Sequence, residues 1–186
     1  EVFNTFCERY PDVAITVDSM DTSEYESVLL SRNEDLCCVG LGEDDAVNPA
    51  FNTIPLKVEP MILAFSEEEH LPNRQLLASR ELLLLAGEER WNKILLNYLA
   101  EQQIKPKIRT IRGGPALCVN LLRSKTMTFM PKSFFDTLSG PKLAYRELDI
   151  PGARVLSTLV WGKYNYNPCL QLMINCYHHG ESASTS

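Results

Sequence analysis

The chain contains 186 residues, of which 45% are hydrophobic and 23% are charged. This length and composition are typical of folded proteins with one large domain or two smaller lobes, and they argue against intrinsic disorder. The 18 basic and 24 acidic residues give a net charge of −6, and the basic residues are scattered along the sequence. Because nucleic-acid binding surfaces gather basic residues into a patch, we do not expect this chain to bind nucleic acid directly.

The sequence also bears on membrane association and on the state of the thiols. No apolar run approaches the roughly 20 residues that a membrane-spanning helix needs. Residues 1–4 lack the basic and apolar regions of a secretory signal, although a cleaved signal would leave the same beginning. The six cysteines lie in apolar or amphipathic segments, and the adjacent Cys37 and Cys38 point to opposite faces of a predicted strand, which disfavours a disulfide between them. We therefore expect reduced thiols, a cytoplasmic location and no membrane contact.

Apolar periodicity and turn residues predict alternating strands and helices. The chain opens inside a helix that ends at Tyr10, and a second helix begins near Thr22, where Ser23 and Glu26 have the spacing of a capping box. Residues 66–71 are a predicted connection, and residues 178–186 are a polar tail. Predicted strands cover residues 14–18, 36–41, 53–65, 82–86, 107–111, 127–130, 144–148 and 155–161, and predicted helices cover residues 2–10, 21–33, 89–103, 115–122 and 168–177.

This alternation predicts an α/β architecture with largely parallel sheets. Such sheets bind ligands beyond the carboxyl ends of their strands, where the first turns of helices present unpaired N–H groups. Three predicted turns meet this description: residues 19–23, 87–90 and 112–115. A small-molecule site built from these turns is the functional prediction that the pattern of elements supports.

Five short phrases follow one another along the chain: FCERYPDV at residues 6–13, EDLCCV at 34–39, IPL at 54–56 with MILA at 61–64 and HLP at 70–72, the segment 121–131 ending in FMP, and LDIP at 148–151. In order and spacing they resemble the effector-binding domain of LysR-type transcriptional regulators. The chain departs from the family at Ser124 and Thr126, where the family usually has glycines before a strand of its second lobe. Glycine's additional backbone freedom is reduced at these two positions.

The resemblance implies a two-lobed fold like that of type 2 periplasmic binding proteins, with a ligand cleft between two Rossmann-like lobes. Lobe one would comprise residues 1–66 and 153–186, and lobe two residues 67–152. A small, anionic effector would bind in the cleft. The first strand of lobe one and the winged helix-turn-helix that binds DNA would lie outside this chain, so DNA would be contacted only through that missing amino-terminal domain.

For the cleft, the family resemblance and the predicted turns together indicate seven residues, each of which also has a purely structural interpretation. Ser19 and Thr22 could instead cap the following helix, the glycines could only permit tight turns, and the arginine could be a solvated surface side chain. An arginine beside a helix amino terminus would suit an effector carboxylate. The candidates are Ser19, Met20 and Thr22 from lobe one and Gly87, Arg112, Gly113 and Thr128 from lobe two.

The resemblance also implies an assembly. Family members pair side by side and antiparallel, which here would bring residues 25–32 of one chain against residues 117–123 of another. We therefore expect a homodimer with an isologous interface, and a homotetramer for the full-length protein.

The sequence indicates neither a catalytic site nor a metal site. Cys176, His178 and His179 lie close together near the carboxyl terminus, but adjacent imidazoles on a polar tail do not complete a ligand set. We find no phosphate-binding glycine loop and no Ser/His/Asp order, and we expect neither a cofactor nor a metal nor an enzyme activity. A solute-binding protein of a transport system is the alternative function on the same fold, and an enzyme is a third.

Overall fold

The computed structural model describes residues 2–66, 71–112, 115–122, 125–138 and 142–184. Seven strands and seven α-helices follow one another along these residues, with a 3₁₀ turn at Thr22–Glu24. The strands are β1 (Cys37–Gly42), β2 (Phe51–Ser66), β3 (Glu81–Leu85), β4 (Ile108–Ile111), β5 (Thr126–Pro131), β6 (Leu143–Glu147) and β7 (Arg154–Gly162), and the helices are α1 (Val2–Arg9), α2 (Tyr25–Leu30), α3 (Asn73–Ser79), α4 (Glu89–Glu101), α5 (Pro115–Leu122), α6 (Lys132–Thr137) and α7 (Pro168–Ser184).

The 16-residue strand β2 belongs to two groups of strands. Its residues 51–60 pair with β7, which in turn pairs with β1. Its residues 61–66 pair with β5 on one side and with β6 on the other, and β5 continues to β3 and β4. We call the first group the first sheet and the second group the second sheet; β2 joins them as one continuous strand.

Helices cover both faces of each sheet. On the second sheet, α4 packs Trp91, Leu95 and Leu99 into the largest buried cluster, and α5 packs Leu117 and Leu121 on the opposite face. On the first sheet, α2 packs Leu29 against one face, and α7 packs Leu170, Ile174 and Tyr177 against the other. This layering is the α/β arrangement that the alternating elements predicted.

The prediction of largely parallel sheets was wrong, because four of the six strand pairs among the described residues are antiparallel. The parallel pairs join β3 to β4 and β3 to β5. These three strands are connected by the helices α4 and α5, and helical crossovers return the chain in the same direction. The other pairs involve β2 or β7, the strands by which the chain passes between the two sheets.

The predicted strand at residues 14–18 does not form. These residues have no regular structure and their side chains are exposed. Strand β1 is the edge of the first sheet within the described part of the chain, and residues 14–18 do not pair with its open side. Alternating apolar residues favour a strand only when a partner strand is present.

The predicted helix at residues 21–33 forms in a shorter version, as the 3₁₀ turn followed by α2. The capping box was wrong, because Asp21 precedes the 3₁₀ turn as its N-cap, Glu24 precedes α2, and neither side chain makes a capping hydrogen bond. Arg32 has a φ of 59° and ends the helix in the left-handed region. Two short helices, α3 and α6, were not predicted, since six or seven residues carry too little periodicity.

Candidate functional site

A pocket of about 190 Å³ lies where the carboxyl ends of β1 and β3 approach each other. One wall comes from the first sheet and the 3₁₀ turn at Thr22–Glu24, and the other comes from the turn after β3 and the first turn of α4. We call this the inter-sheet pocket. It is lined by Thr22, Ser23, Gly40, Leu41, Asp45, Gly87, Glu88, Glu89, Arg90 and Trp91. Its volume is below the roughly 300 Å³ at which drug-sized ligands are accommodated, so only a small molecule fits without movement.

The turn after β3 makes the closest backbone approach in this pocket. Gly87 has a φ of +83°, in the left-handed region. A Cβ atom at Gly87 would lie 2.7 Å from Cγ of Asp21, so the Asp21 side chain packs directly on the glycine. The position therefore requires glycine both for its backbone conformation and for its contact with the opposite wall.

A hydrogen bond joins the two walls beside this contact. The Thr22 hydroxyl donates to Oε1 of Glu88 at 3.2 Å. Burial raises the pKa of the Glu88 carboxyl, the hydrogen bond from Thr22 lowers it, and the charges of Asp21 and Glu89 raise it further. The net upward direction means that a proton is held more tightly on Glu88 than on an exposed glutamate.

An ion pair also crosses the pocket. The Arg90 guanidinium donates through Nη1 to Oδ1 of Asp45, and the Gly42 N–H donates to Oδ2 of the same carboxylate at 2.7 Å. A Cβ at Gly42 would fall on the guanidinium, so Arg90 lies flat against the Gly42 backbone. The guanidinium also lies 5.3 Å from the ring centre of Trp91. The Arg90 side chain is therefore positioned by the Asp45 carboxylate, the Gly42 backbone and the Trp91 ring.

Comparison with protein families identifies the domain, because a family model described as the LysR substrate binding domain matches residues 1–179. The chain belongs to this family. The predicted family is confirmed, and membership of it supports effector sensing rather than transport. No curated protein matches the chain in a sequence search.

Solved structures confirm the fold of this LysR domain. The effector-binding domain of a BenM variant superposes with a TM-score of 0.72 at 15% identity, over 94% of this chain and 84% of that one. The BenM effector-binding domain with its effector benzoate gives 0.72 at 14% identity, over 99% and 86%. Full-length OxyR C199D from Pseudomonas aeruginosa gives 0.73 at 14%, covering 94% of this chain and 62% of that one. The α/β fold of the type 2 periplasmic-binding-protein kind is therefore the fold of this chain.

The structure of the LysR domain brings two of the seven predicted site residues together, Thr22 and Gly87, on opposite walls of the inter-sheet pocket. Ser19 and Met20 line a different and larger cavity of about 850 Å³ beside β1, where the Cys37 thiol donates to Sδ of Met20 at 3.7 Å. This second cavity lies along the first sheet and is bounded by α1, residues 13–20 and α7.

Thr128 and Arg112 line neither of these two cavities. Thr128 is fully buried in β5, and its hydroxyl donates to the Leu83 carbonyl of β3 at 2.9 Å. Arg112 is exposed directly after β4, at the same end of the sheet as Gly87, and it lines neither of the two cavities. Gly113 lies outside the described residues, as do the side chains of His178 and His179.

Sequence reasoning missed the charged residues of the inter-sheet pocket. Glu88 and Arg90 stand in the turn at residues 87–90, which the strand-to-helix pattern did indicate, so their position carried a usable signal. Asp45 lies in the polar loop between β1 and β2, where nothing in the sequence separates it from Asp44. Its contact with Arg90 joins residues 45 positions apart and is visible only in the fold.

Within the part of the chain that the structure describes, no helix combines the length and the apolar composition needed to cross a lipid bilayer.

Proposed function

We propose that this LysR domain binds a small, anionic effector in the inter-sheet pocket and reports its binding through the relative position of the two sheets. The observation that supports this proposal is the pocket's construction: each wall belongs to a different sheet, and the two polar contacts across it join those walls. A ligand that enters there competes with contacts that set the angle between the sheets. Differential affinity for two such angles is what makes a sensor allosteric.

In this proposal the two sheets are the cores of two lobes. Lobe one comprises residues 1–66 and 153–186, and lobe two comprises residues 67–152. The continuous strand β2 and the segment that enters β7 are then the two crossovers. Thr22 and Gly87 are our proposed effector contacts, one from each lobe.

The proposal places the domain in a larger regulator. CbnR, a LysR family transcriptional regulator, matches 96% of this chain with a TM-score of 0.69 at 13% identity, while the chain spans 63% of CbnR. Full-length CbnR has also been solved in complex with its target DNA. We propose that DNA binding here belongs to a separate amino-terminal domain, that the regulator acts in the cytoplasm, and that the domain has no catalytic activity. The purified chain alone is then expected not to retard operator DNA in a gel.

We propose a homodimer in which α2 of one chain packs against α5 of the other, and a homotetramer for the full-length regulator. The exposed apolar residues of these two helices support this arrangement: Leu30 on α2 is 62% exposed, and Val119 and Leu122 on α5 are 55% and 50% exposed. Burial of such side chains stabilises association by removing apolar surface from water.

Sedimentation velocity checks this interface. We expect a dimer that dissociates in Leu30→Glu and in Leu122→Glu, while substitution of Tyr164, which is exposed on a loop outside both helices, leaves the dimer intact. A wild-type chain that sediments as a monomer at high concentration contradicts the proposed interface.

A thermal-shift screen of small carboxylates, amino acids and aromatic acids tests effector binding, because a ligand that binds only the folded state raises the melting temperature. We expect a saturable shift that Ser23→Phe removes by filling the inter-sheet pocket. Ser27→Phe, on α2 but outside the pocket, is the matched control, and Arg112→Ala tests the cation predicted from the sequence. Shifts that survive Ser23→Phe locate the effector elsewhere; no shift with any compound contradicts the proposal.

A further inference from the structure

The Asp45 carboxylate occupies a complete anion site in the inter-sheet pocket. Its two oxygens accept hydrogen bonds from two fixed donors, the Arg90 guanidinium and the Gly42 N–H. Arg90 is held in place by Trp91 and by the absence of a side chain at Gly42. The contacts of Arg90 with Trp91 and with the Gly42 backbone do not involve Asp45, so the guanidinium and the Gly42 N–H remain available when that carboxylate leaves.

Asp45 is also free to leave. It lies in the loop between β1 and β2, and its side chain is 31% exposed, while that of Arg90 is 43% exposed. Ion pairs with this degree of solvent contact contribute little net stability, because water solvates both partners when they separate. Rotation of the Asp45 side chain towards solvent therefore exposes the guanidinium at small cost.

The surrounding charges determine what can replace Asp45. Glu88 and Glu89 line the same pocket, and Asp21 lies against Gly87 at its edge. A second anion added beside Asp45 would meet three further carboxyl groups and an arginine that is already neutralised. An anion that takes the place of Asp45 leaves the local charge unchanged and recovers both hydrogen bonds.

We propose that Asp45 is an internal ligand of the effector site and that the carboxylate of an anionic effector replaces it on Arg90 and the Gly42 N–H. This inference rests on the proposed function, and it adds the cation, the chemical group of the effector and the mode of regulation. The exchange breaks a contact between the two sheets, since Asp45 follows β1 and Arg90 follows β3. Effector binding thereby releases the Asp45 link and replaces it with the effector's own contacts.

Sodium acetate, the smallest carboxylate probe, tests the exchange in Asp45→Asn and in the wild type. Tryptophan fluorescence is the readout, in a Trp161→Phe background that leaves Trp91 as the single tryptophan. Acetamide is the neutral control, and sodium chloride keeps the ionic strength constant. The isosteric Asn retains an acceptor for the Gly42 N–H but no longer competes as a carboxylate. We expect Asp45→Asn to lower the Kd for acetate by about two- to five-fold, as the loss of a partly exposed ion pair predicts.

Three further variants separate the exchange from a general change in charge. Asp44→Asn removes an adjacent carboxylate that does not contact Arg90, and we expect it to leave the Kd for acetate close to that of the wild type. Arg90→Gln in the Asp45→Asn background removes acetate binding. Gly42→Ala in that background does the same with every charge retained, because the new Cβ takes the position of the guanidinium; its circular dichroism checks that the fold persists.

The inference is overturned if Asp45→Asn binds acetate no more tightly than the wild type and Asp44→Asn, or if acetate binding survives Arg90→Gln. The effector screen distinguishes this failure from failure of the proposed function. Compounds that bind in the pocket with affinities independent of Asp45 leave effector sensing intact and refute only the exchange. If Asp45→Asn binds acetate but no compound in the thermal-shift screen binds the wild type, the anion site is supported and the sensing role is contradicted.

Discussion

Cys37 and Cys38 are neighbours in β1 with opposite environments. Cys37 is buried under α2 and Cys38 is exposed, as the alternation of side chains along a strand requires. Burial raises the pKa of the Cys37 thiol to about 11, with smaller contributions from Glu34 and from Cys38. Since the thiolate is the reactive form, a thiol that ionises only near pH 11 is chemically inert at neutral pH.

Partial burial also raises the pKa of the Cys38 thiol, but only Cys38 is exposed to the reagent. We therefore expect iodoacetamide at pH 8 to alkylate Cys38 in the native protein and to leave Cys37 unmodified. Fragment spectra of the peptide that contains both residues distinguish the two sites. After unfolding in urea, both should react at similar rates, which is the control for intrinsic reactivity. Equal labelling of the two cysteines in the native protein would show that β1 opens far more readily than its burial indicates.

Predictions for single residues succeeded where the environment of the side chain depends only on the neighbouring sequence. The opposite orientation of Cys37 and Cys38 followed from strand periodicity alone. The environment of Thr128 did not, because the carbonyl that its hydroxyl contacts belongs to β3, 45 positions away. Asp45 and Arg90 are separated by the same distance in sequence, and no local pattern connects them.

At the scale of elements, Glu59 in strand β2 binds the first turn of helix α6. It is 2% exposed in the middle of β2, and its carboxylate accepts hydrogen bonds from the Ser133 N–H at 2.7 Å and from the Ser133 hydroxyl at 2.5 Å. Ser133 lies in the first turn of α6, where backbone N–H groups have no partner within the helix. A negative charge there also interacts favourably with the helix dipole.

Substitution of Glu59 by Leu should lower the free energy of unfolding by about 1–3 kcal/mol, because the Ser133 N–H is then left without its acceptor. Urea denaturation measures the difference. Glu59→Gln keeps an acceptor in place and should lose less. An unfolding free energy for Glu59→Leu equal to that of the wild type would mean that water replaces the carboxylate at no cost.

Most elements, but not their arrangement, could be predicted from the sequence. Strands and helices with strong apolar periodicity, such as β3 and α4, were predicted within two residues of their observed ends. Strand pairing depends on which neighbours are available, and local propensity does not specify it. For this reason the predicted strand at residues 14–18 does not form, and the direction of the pairs around β2 and β7 was wrong.

For the whole molecule, Glu88, which accepts a hydrogen bond from Thr22 across the two sheets, makes the stability of the fold depend on pH. Folding raises the Glu88 pKa above the ordinary value of about 4.3, so the folded state holds this proton more tightly than the unfolded state. The stability contributed by this group is fully present below about pH 4.3 and is lost as the pH rises through the raised pKa. The charged carboxylate therefore opposes folding at neutral pH.

Glu88→Gln should consequently be more stable than the wild type at pH 8, and the two should converge below about pH 4.3. The amide still offers an oxygen to the Thr22 hydroxyl, so the contact between the sheets is retained. Chemical denaturation at a series of pH values provides the comparison, with Glu89→Gln as the control for removal of an exposed carboxylate. A Gln variant less stable than the wild type across the whole range would indicate that the charge at Glu88 favours folding.

Strand β2 runs without interruption through both sheets, with an irregular register between Pro55 and Lys57. At about 3.3 Å per residue, its 16 residues form a rod about 50 Å long. A continuous strand resists bending more than a flexible linker does, and it has an inherent right-handed twist. The two sheets are therefore joined through a shared axis, strand β2. A small rotation of one sheet relative to the other about this axis displaces the outer edges of the sheets more than it displaces the pocket.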